Sequence, residues 1–235
     1  MKNSELFLES FAKIEQKLRK ELQLDTSARF YEMVRELSRK NKIVYEYRDD
    51  LRQLGDLRNA IVHERADGMV IAEPNDACIQ LIIRIENALF NPPKLLPAFK
   101  KEVFQLDVNE SVGKALRLMY EHSFSQLPLS KKGVFVGLLT NDTVSRWLGA
   151  SSQEDIFSLN DTPLAKVISF AENKNNYCFL KKDEMVFTAL AKFQDYENNG
   201  KILDSILITA NGKSTEKLLG IVTISDIPKI LRMLK

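Results

Sequence analysis

Leu218–Ile227 reads LLGIVTISDI. The run Leu218-Leu219-Gly220-Ile221-Val222 is apolar, ends β-branched and is bounded by polar residues, which predicts a buried strand. Ser225 and Asp226 stand where a helix starts. Pro228 is tolerated in a first helical turn, and PKILRML continues a helical pattern. Thr223 therefore falls at a strand-to-helix junction. There a hydroxyl, free backbone N–H groups and the helix dipole favour a phosphate. The carboxylate of Asp226 can accept hydrogen bonds from both hydroxyls of a ribose. The same two residues are also good helix caps, and a cap needs no ligand.

The phrase recurs. Gly137–Leu148 reads GLLTNDTVSRWL: a glycine, an apolar pair, Thr140 and a helix-like tail. Upstream, Val103–Met119 (VFQLDVNESVGKALRLM) aligns without gaps on Tyr177–Phe193 (YCFLKKDEMVFTALAKF). Glu110 then falls on Glu184, and Val112 on Val186. Each copy reads strand, acidic turn, amphipathic helix, strand, strand ending in threonine, helix. The chain thus carries a tandem repeat, and its presence in both copies favours the ligand reading of the corner over the cap.

These two copies resemble a pair of CBS motifs, the tandem called a Bateman module, over about residues 100 to 235. The second copy, GIVTISDI, matches the family phrase G-h-h-T-x-x-D. The first departs from it, with Thr143 where the aspartate belongs and Asp142 one place early. The resemblance implies a regulatory module rather than an enzyme, with an adenine nucleotide (AMP, ADP or ATP) as ligand. Thr223 would take phosphate and Asp226 ribose. Ile168 and the Ile206-Leu207-Ile208 strand would face adenine. Thr140 and Thr143 would form a weaker first site. It also implies a homodimer, which light scattering can test.

Composition agrees with a globular chain: 44% hydrophobic, 28% charged and a net charge of +2 point to neither nucleic acid nor membrane as partner. No unbroken apolar stretch reads as a signal peptide or a membrane span. Cys78 and Cys178 lie far apart in apolar contexts and read as reduced core thiols of a cytoplasmic protein. With His63 and His122 they form no metal-ligand spacing. No Walker or Rossmann glycine loop and no G-x-S-x-G occurs.

Residues 1–90 read as an all-α bundle. Phe7, Phe11, Ile14, Leu18 and Leu22 make one stripe. Asp25, Thr26 or Ser27 can cap a second helix with Phe30, Met33, Val34 and Leu37. A third helix is predicted from about Val44 to Arg65, stopping at Gly68. Met69–Ala72 reads as extended. Asn75 or Asp76 caps a fourth helix with Ile79, Ile82, Ile83 and Leu89. Pro92, Pro93 and Pro97 mark residues 91–100 as a stiff linker. The first motif then covers 101–150, a polar connection 151–162, and the second motif 163–235, giving an α+β protein.

Within the bundle, LRNAIVHER (Leu57–Arg65) resembles the Arg-Asn…His signature of HEPN domains. The resemblance implies Arg58 and His63 as catalytic groups of a metal-independent endoribonuclease. His63 would move a proton and Arg58 stabilise phosphate charge, with Asn59 orienting the imidazole. RNA is a partner under that reading only. The acidic neighbours Asp49, Asp50, Glu64 and Asp67 oppose it, so it ranks second. A dimeric scaffold with empty clefts ranks third. His122 reads as a polar turn residue or a phosphate contact, Trp147 as core, and Lys131-Lys132 and Lys181-Lys182 as solvated turns.

Overall fold

The computed structural model describes residues 2–23, 28–63, 65–66, 69–70, 72–152 and 158–233, with backbone only for 63–70. They form an α+β protein of two compact units, Met1–Pro93 with Arg232–Lys235, and Lys94–Leu231.

The first unit is helical: α1 (Asn3–Leu22), α2 (Phe30–Ser38), α3 (Lys42–Glu46), α4 (Arg48–His63) and α5 (Asp76–Phe90). Phe7, Ile14 and Leu18 are fully buried with Met33, Val34, Leu51, Ile61, Ile82 and Ile85. The stripe spacing thus becomes the core. Three expectations change: the cap of the second helix, the continuity of the third, and the burial of Ile83. The α2 helix begins at Phe30 with Arg29 at its N-cap, while residues 25–27 lie outside the described set. The expected third helix is two, because Tyr47 (φ −97°, ψ 14°) leaves helical geometry. Gly68 lies outside the described residues, and α4 ends at His63. On α5, Ile85 is buried and Ile83 exposed. Ile83 follows Ile82 directly, so it turns about 100° off the buried face. Asn75 caps α5, its side-chain oxygen accepting from the Cys78 N–H at 2.9 Å. The extended piece pairs as a short antiparallel ribbon, β1 (Arg65–Ala66) with β2 (Met69–Val70).

The second unit opens with a helical turn, α6 (Leu95–Ala98). The first copy then runs β3 (Leu106–Asp107), α7 (Val112–Glu121), β4 (Gln126–Lys131), β5 (Val134–Thr140) and α8 (Asn141–Ser151). After α9 (Leu164–Ile168), the second copy runs β6 (Tyr177–Lys181), α10 (Val186–Asn198), β7 (Ser205–Thr209), β8 (Gly220–Thr223) and α11 (Ile227–Met233), the last two joined by a 3₁₀ turn. Both sheets have the same topology. The first strand pairs parallel with the second, and the second antiparallel with the third. The aligned residues Val112 and Val186 each start a helix. Thr140 faces Gln126 as Thr223 faces Ser205.

The turns leading into the two copies are exchanged. The Leu95 and Leu96 N–H groups donate to the carbonyls of Glu184 and Lys182, in the second copy. Those of Leu164 and Ala165 donate to Glu110 and Val108, the aligned positions of the first. Residues 94–100, expected as linker, therefore dock on the second repeat, and Lys100 bridges Gly220. Leu164 and Val167, expected to lead into the second motif, join the first copy's core with Leu127, Leu129, Leu139 and Trp147. A second cluster of Phe135, Leu138, Leu207 and Leu218 joins the copies. Around it Phe135 meets Tyr177 and Phe179 edge-on, at centroid distances of 4.8 and 5.2 Å.

Candidate functional site

The exchange builds clefts from both copies. One, of about 310 Å³, is lined by Lys101–Phe104 and Ser123–Pro128 on the first-copy side. Asp204, Ile221 and Thr223–Ser225 line it on the other. The other cleft, of about 270 Å³, puts Val136–Leu138 of the first copy against Ile168, Ser169, Asn176 and Tyr177 of the second.

Thr223 thus lies in a cleft, as its position at the end of β8 predicts. Asp226 is its partner at the corner. The Thr223 N–H and hydroxyl both donate to Asp226 Oδ2, at 2.9 and 3.2 Å. These are the donors expected to reach a phosphate, and they are already taken. The corner is a capped turn with the carboxylate folded back on it.

The first corner is capped by Thr140. Its oxygen accepts from the Thr143 N–H at 3.2 Å, and the two hydroxyls lie 3.0 Å apart. Thr143 is buried and Asp142 exposed. The one-residue offset has carried the carboxylate out of the corner, as helical geometry requires.

The residues expected to face adenine are placed elsewhere. Ile206, Leu207 and Ile208 are fully buried. The reason is topological: β7 is the middle strand of its sheet, so neighbouring strands and packed side chains cover it. Ile168 belongs to the other cleft, against Gly137, where a Cβ added to the glycine would meet its side chain at 3.5 Å. The contacts expected at the second cleft, Thr223, Asp226, Ile168, Ile206, Leu207 and Ile208, all lie in the second copy. The exchanged lead-in supplies Lys101–Phe104 instead, a stretch of which the repeat alignment covers only Val103 and Phe104, on Tyr177 and Cys178.

The apolar wall of the Thr223 cleft is aromatic. Phe104 and Phe124 lie 5.7 Å apart between ring centroids. His122 packs against both, at 4.5 and 5.2 Å. His122 ends α7, its N–H donating to Leu118 O. Facing this wall are polar groups. Gln126 Nε2 donates to Asp204 O and Ser205 Oγ, both at 3.2 Å, across the two copies. Asp204 Oδ2 accepts from Asn176 Nδ2 at 2.6 Å. Trp147 is fully buried. Lys132 closes the β4–β5 turn, and its N–H donates to Asp107 Oδ2 at 3.0 Å. Lys181 reaches Glu184 at 3.5 Å.

In the helical unit, Arg58 donates to Asn59 Oδ1 at 3.2 Å, and Asn59 Nδ2 to the Tyr31 hydroxyl at 3.4 Å. Tyr31 donates to Asp56 at 2.7 Å, and this bond holds the phenol's pKa above its ordinary value. The network engages Asn59 with Arg58 and Tyr31, whereas the sequence expected it to orient His63. The His63 side chain lies outside the described residues.

Burial pushes the Cys178 thiol up to about 11, and Cys78 is raised for the same reason. The attacking thiolate is then scarce at pH 8. Alkylation of Cys178 is expected to be slow in the folded chain and to accelerate in denaturant, read by mass spectrometry. Equal rates in both states would contradict its burial. Among the described residues no cluster of metal-ligating side chains occurs, and no helix is long and apolar enough to cross a membrane.

The family model of the CBS domain matches residues 99–150, spanning the first repeat. No curated protein matches the chain. Among solved structures, a putative signal-transduction protein with CBS domains from Burkholderia ambifaria is 15% identical, covering 56% of this chain and 84% of that one, with a TM-score of 0.42. A CBS domain-containing protein of unknown function from Kribbella flavida is 13% identical over 60% of this chain and 99% of its own, with a TM-score of 0.45. The CBS domain pair of protein MJ0100, in complex with 5′-methylthioadenosine and S-adenosyl-L-methionine, is 16% identical over 61% and 99%, with a TM-score of 0.44.

Proposed function

We propose that the chain is a regulatory module that binds an adenine-bearing ligand in the Thr223 cleft. The observation that carries this reading is the cleft itself, in which an aromatic wall from one copy faces hydroxyls and a carboxylate from the other. Phe104 and Phe124 offer ring faces to a purine, and Thr223, Ser225 and Asp204 offer polar atoms to a ribose. The volume of about 310 Å³ falls in the range of small-molecule sites. The CBS match on residues 99–150 supports a sensing role over a catalytic one.

The output runs along the backbone. Lys101–Phe104 form one wall of the cleft and follow closely on Pro93, where the main segment of the helical unit gives way to the repeat unit. A ligand that orders this wall biases the segment feeding the helices. Titration calorimetry of the full chain with adenosine, AMP, ADP and ATP tests the reading. One adenine ligand per chain is expected, with slower hydrogen exchange over residues 101–104 and 123–128 when it is bound. Binding by none of them refutes the proposal. Binding without protection of those residues puts the site elsewhere.

A further inference from the structure

We propose that Asp204 sets the ligand class of this cleft: adenosine, or an adenosine bearing positive charge, is preferred over one carrying phosphate. This rests on the adenine reading above and narrows it. Asp204 is half-buried at the cleft wall, immediately before β7. Its carboxylate accepts from Asn176 Nδ2 at 2.6 Å, and its N–H donates to Asn176 O at 2.6 Å. Asn176 is itself only 5% exposed. A side chain held by a buried partner keeps its charge in one place and needs no reordering to meet a ligand. Among the described residues Oδ1 takes no hydrogen bond. A carboxylate oxygen only accepts, so what it can recognise is a donor: a ribose hydroxyl, an amine or a cation.

The charge around the cleft points the same way. Lys101 and Glu102 are both exposed, carry opposite signs and are screened by water. Asp204 is the less exposed charge and is not offset by them. Asp226, behind Thr223, adds a second negative charge and already uses both Thr223 donors. Lys229 is committed elsewhere, to Ala98 O at 2.8 Å and over the Phe99 ring at 4.6 Å. A phosphate placed here meets carboxylates where it needs donors, and like charges at partly buried sites repel strongly.

Calorimetry of the full chain with adenosine, S-adenosylmethionine, AMP and ATP is the test. Adenosine and the sulfonium compound are expected to bind about tenfold or more tightly than AMP and ATP. Asp204→Asn, which keeps shape and removes charge, should narrow that gap, with Trp147 fluorescence confirming an intact fold. AMP or ATP binding as tightly as adenosine overturns the inference, as does an unchanged gap in folded Asp204→Asn. Should the variant not fold, the wild-type order of affinities decides. Binding of none of the four overturns the adenine reading, and this inference falls with it; binding in the wrong order overturns this inference alone.

Discussion

Gly220→Ala is expected to destabilise the repeat unit, while Gly137→Ala, at the aligned glycine of the first copy, leaves it nearly unchanged. A Cβ at Gly220 would stand 2.3 Å from the carbonyl oxygen of Phe99 and 3.2 Å from Ile208 Cδ1. The obstacle is backbone. Phe99 is almost fully buried, and the next residue, Lys100, bridges Gly220 directly. The exchanged lead-in would have to lift off the sheet, and strain of this kind costs about 1–3 kcal/mol. At Gly137 the added carbon meets only the Ile168 side chain, at 3.5 and 3.6 Å, which is ordinary contact. Alanine there also limits the unfolded chain, a gain of about 0.4–1 kcal/mol where the backbone suits it. The single tryptophan, Trp147, lies in the repeat unit and reports its unfolding separately from the helical unit. Equal denaturant midpoints for the two variants would show that the lead-in does not dock as described.

The contrast between those glycines shows what the sequence could and could not disclose. Local patterns were legible because they depend on near neighbours. The run GIVT is a strand, and Val112 and Val186 start helices. Thr223 was found because a junction between strand and helix is a local event. The exchange of α6 and α9 was not legible. A repeat aligned on itself says that two segments are equivalent, and it leaves open which copy each one packs against. The adenine wall was therefore sought in β7, whose apolar run equally describes the central strand of a sheet, and a central strand is covered on both sides. The role given to Asp226 met a similar ambiguity. Its spacing from Thr223 suits a ribose and suits a cap, and the two hydrogen bonds at the corner are those of the cap. Asp204 carried no motif at all. Its significance comes from Asn176, distant in sequence and brought beside it by the parallel pairing of β6 and β7.

The double substitution Phe104→Leu/Phe124→Leu is expected to weaken adenine-ligand binding about tenfold to a hundredfold while leaving the cleft apolar. Leucine keeps most of the buried apolar surface, and both positions are partly buried against the first copy's core. What it removes is two ring faces. Aromatic contacts contribute about 0.5–1.5 kcal/mol each beyond the area they bury, and the two together reach about 1–3 kcal/mol. His122 stands outside this pair, exposed, with its ring 17° from parallel to that of Phe124. His122→Ala removes a support of the wall without removing the wall, so a smaller loss is expected. The order of effects separates stacking from general apolar burial. Burial alone would leave the leucine pair close to the wild type, since its apolar surface persists. Calorimetry on the three proteins, with Trp147 fluorescence as the check on folding, reads the order directly. Unchanged affinity in the double variant would remove the rings from the site and leave the polar face, Asp204 with Thr223 and Ser225, as the only part of the cleft that discriminates between ligands.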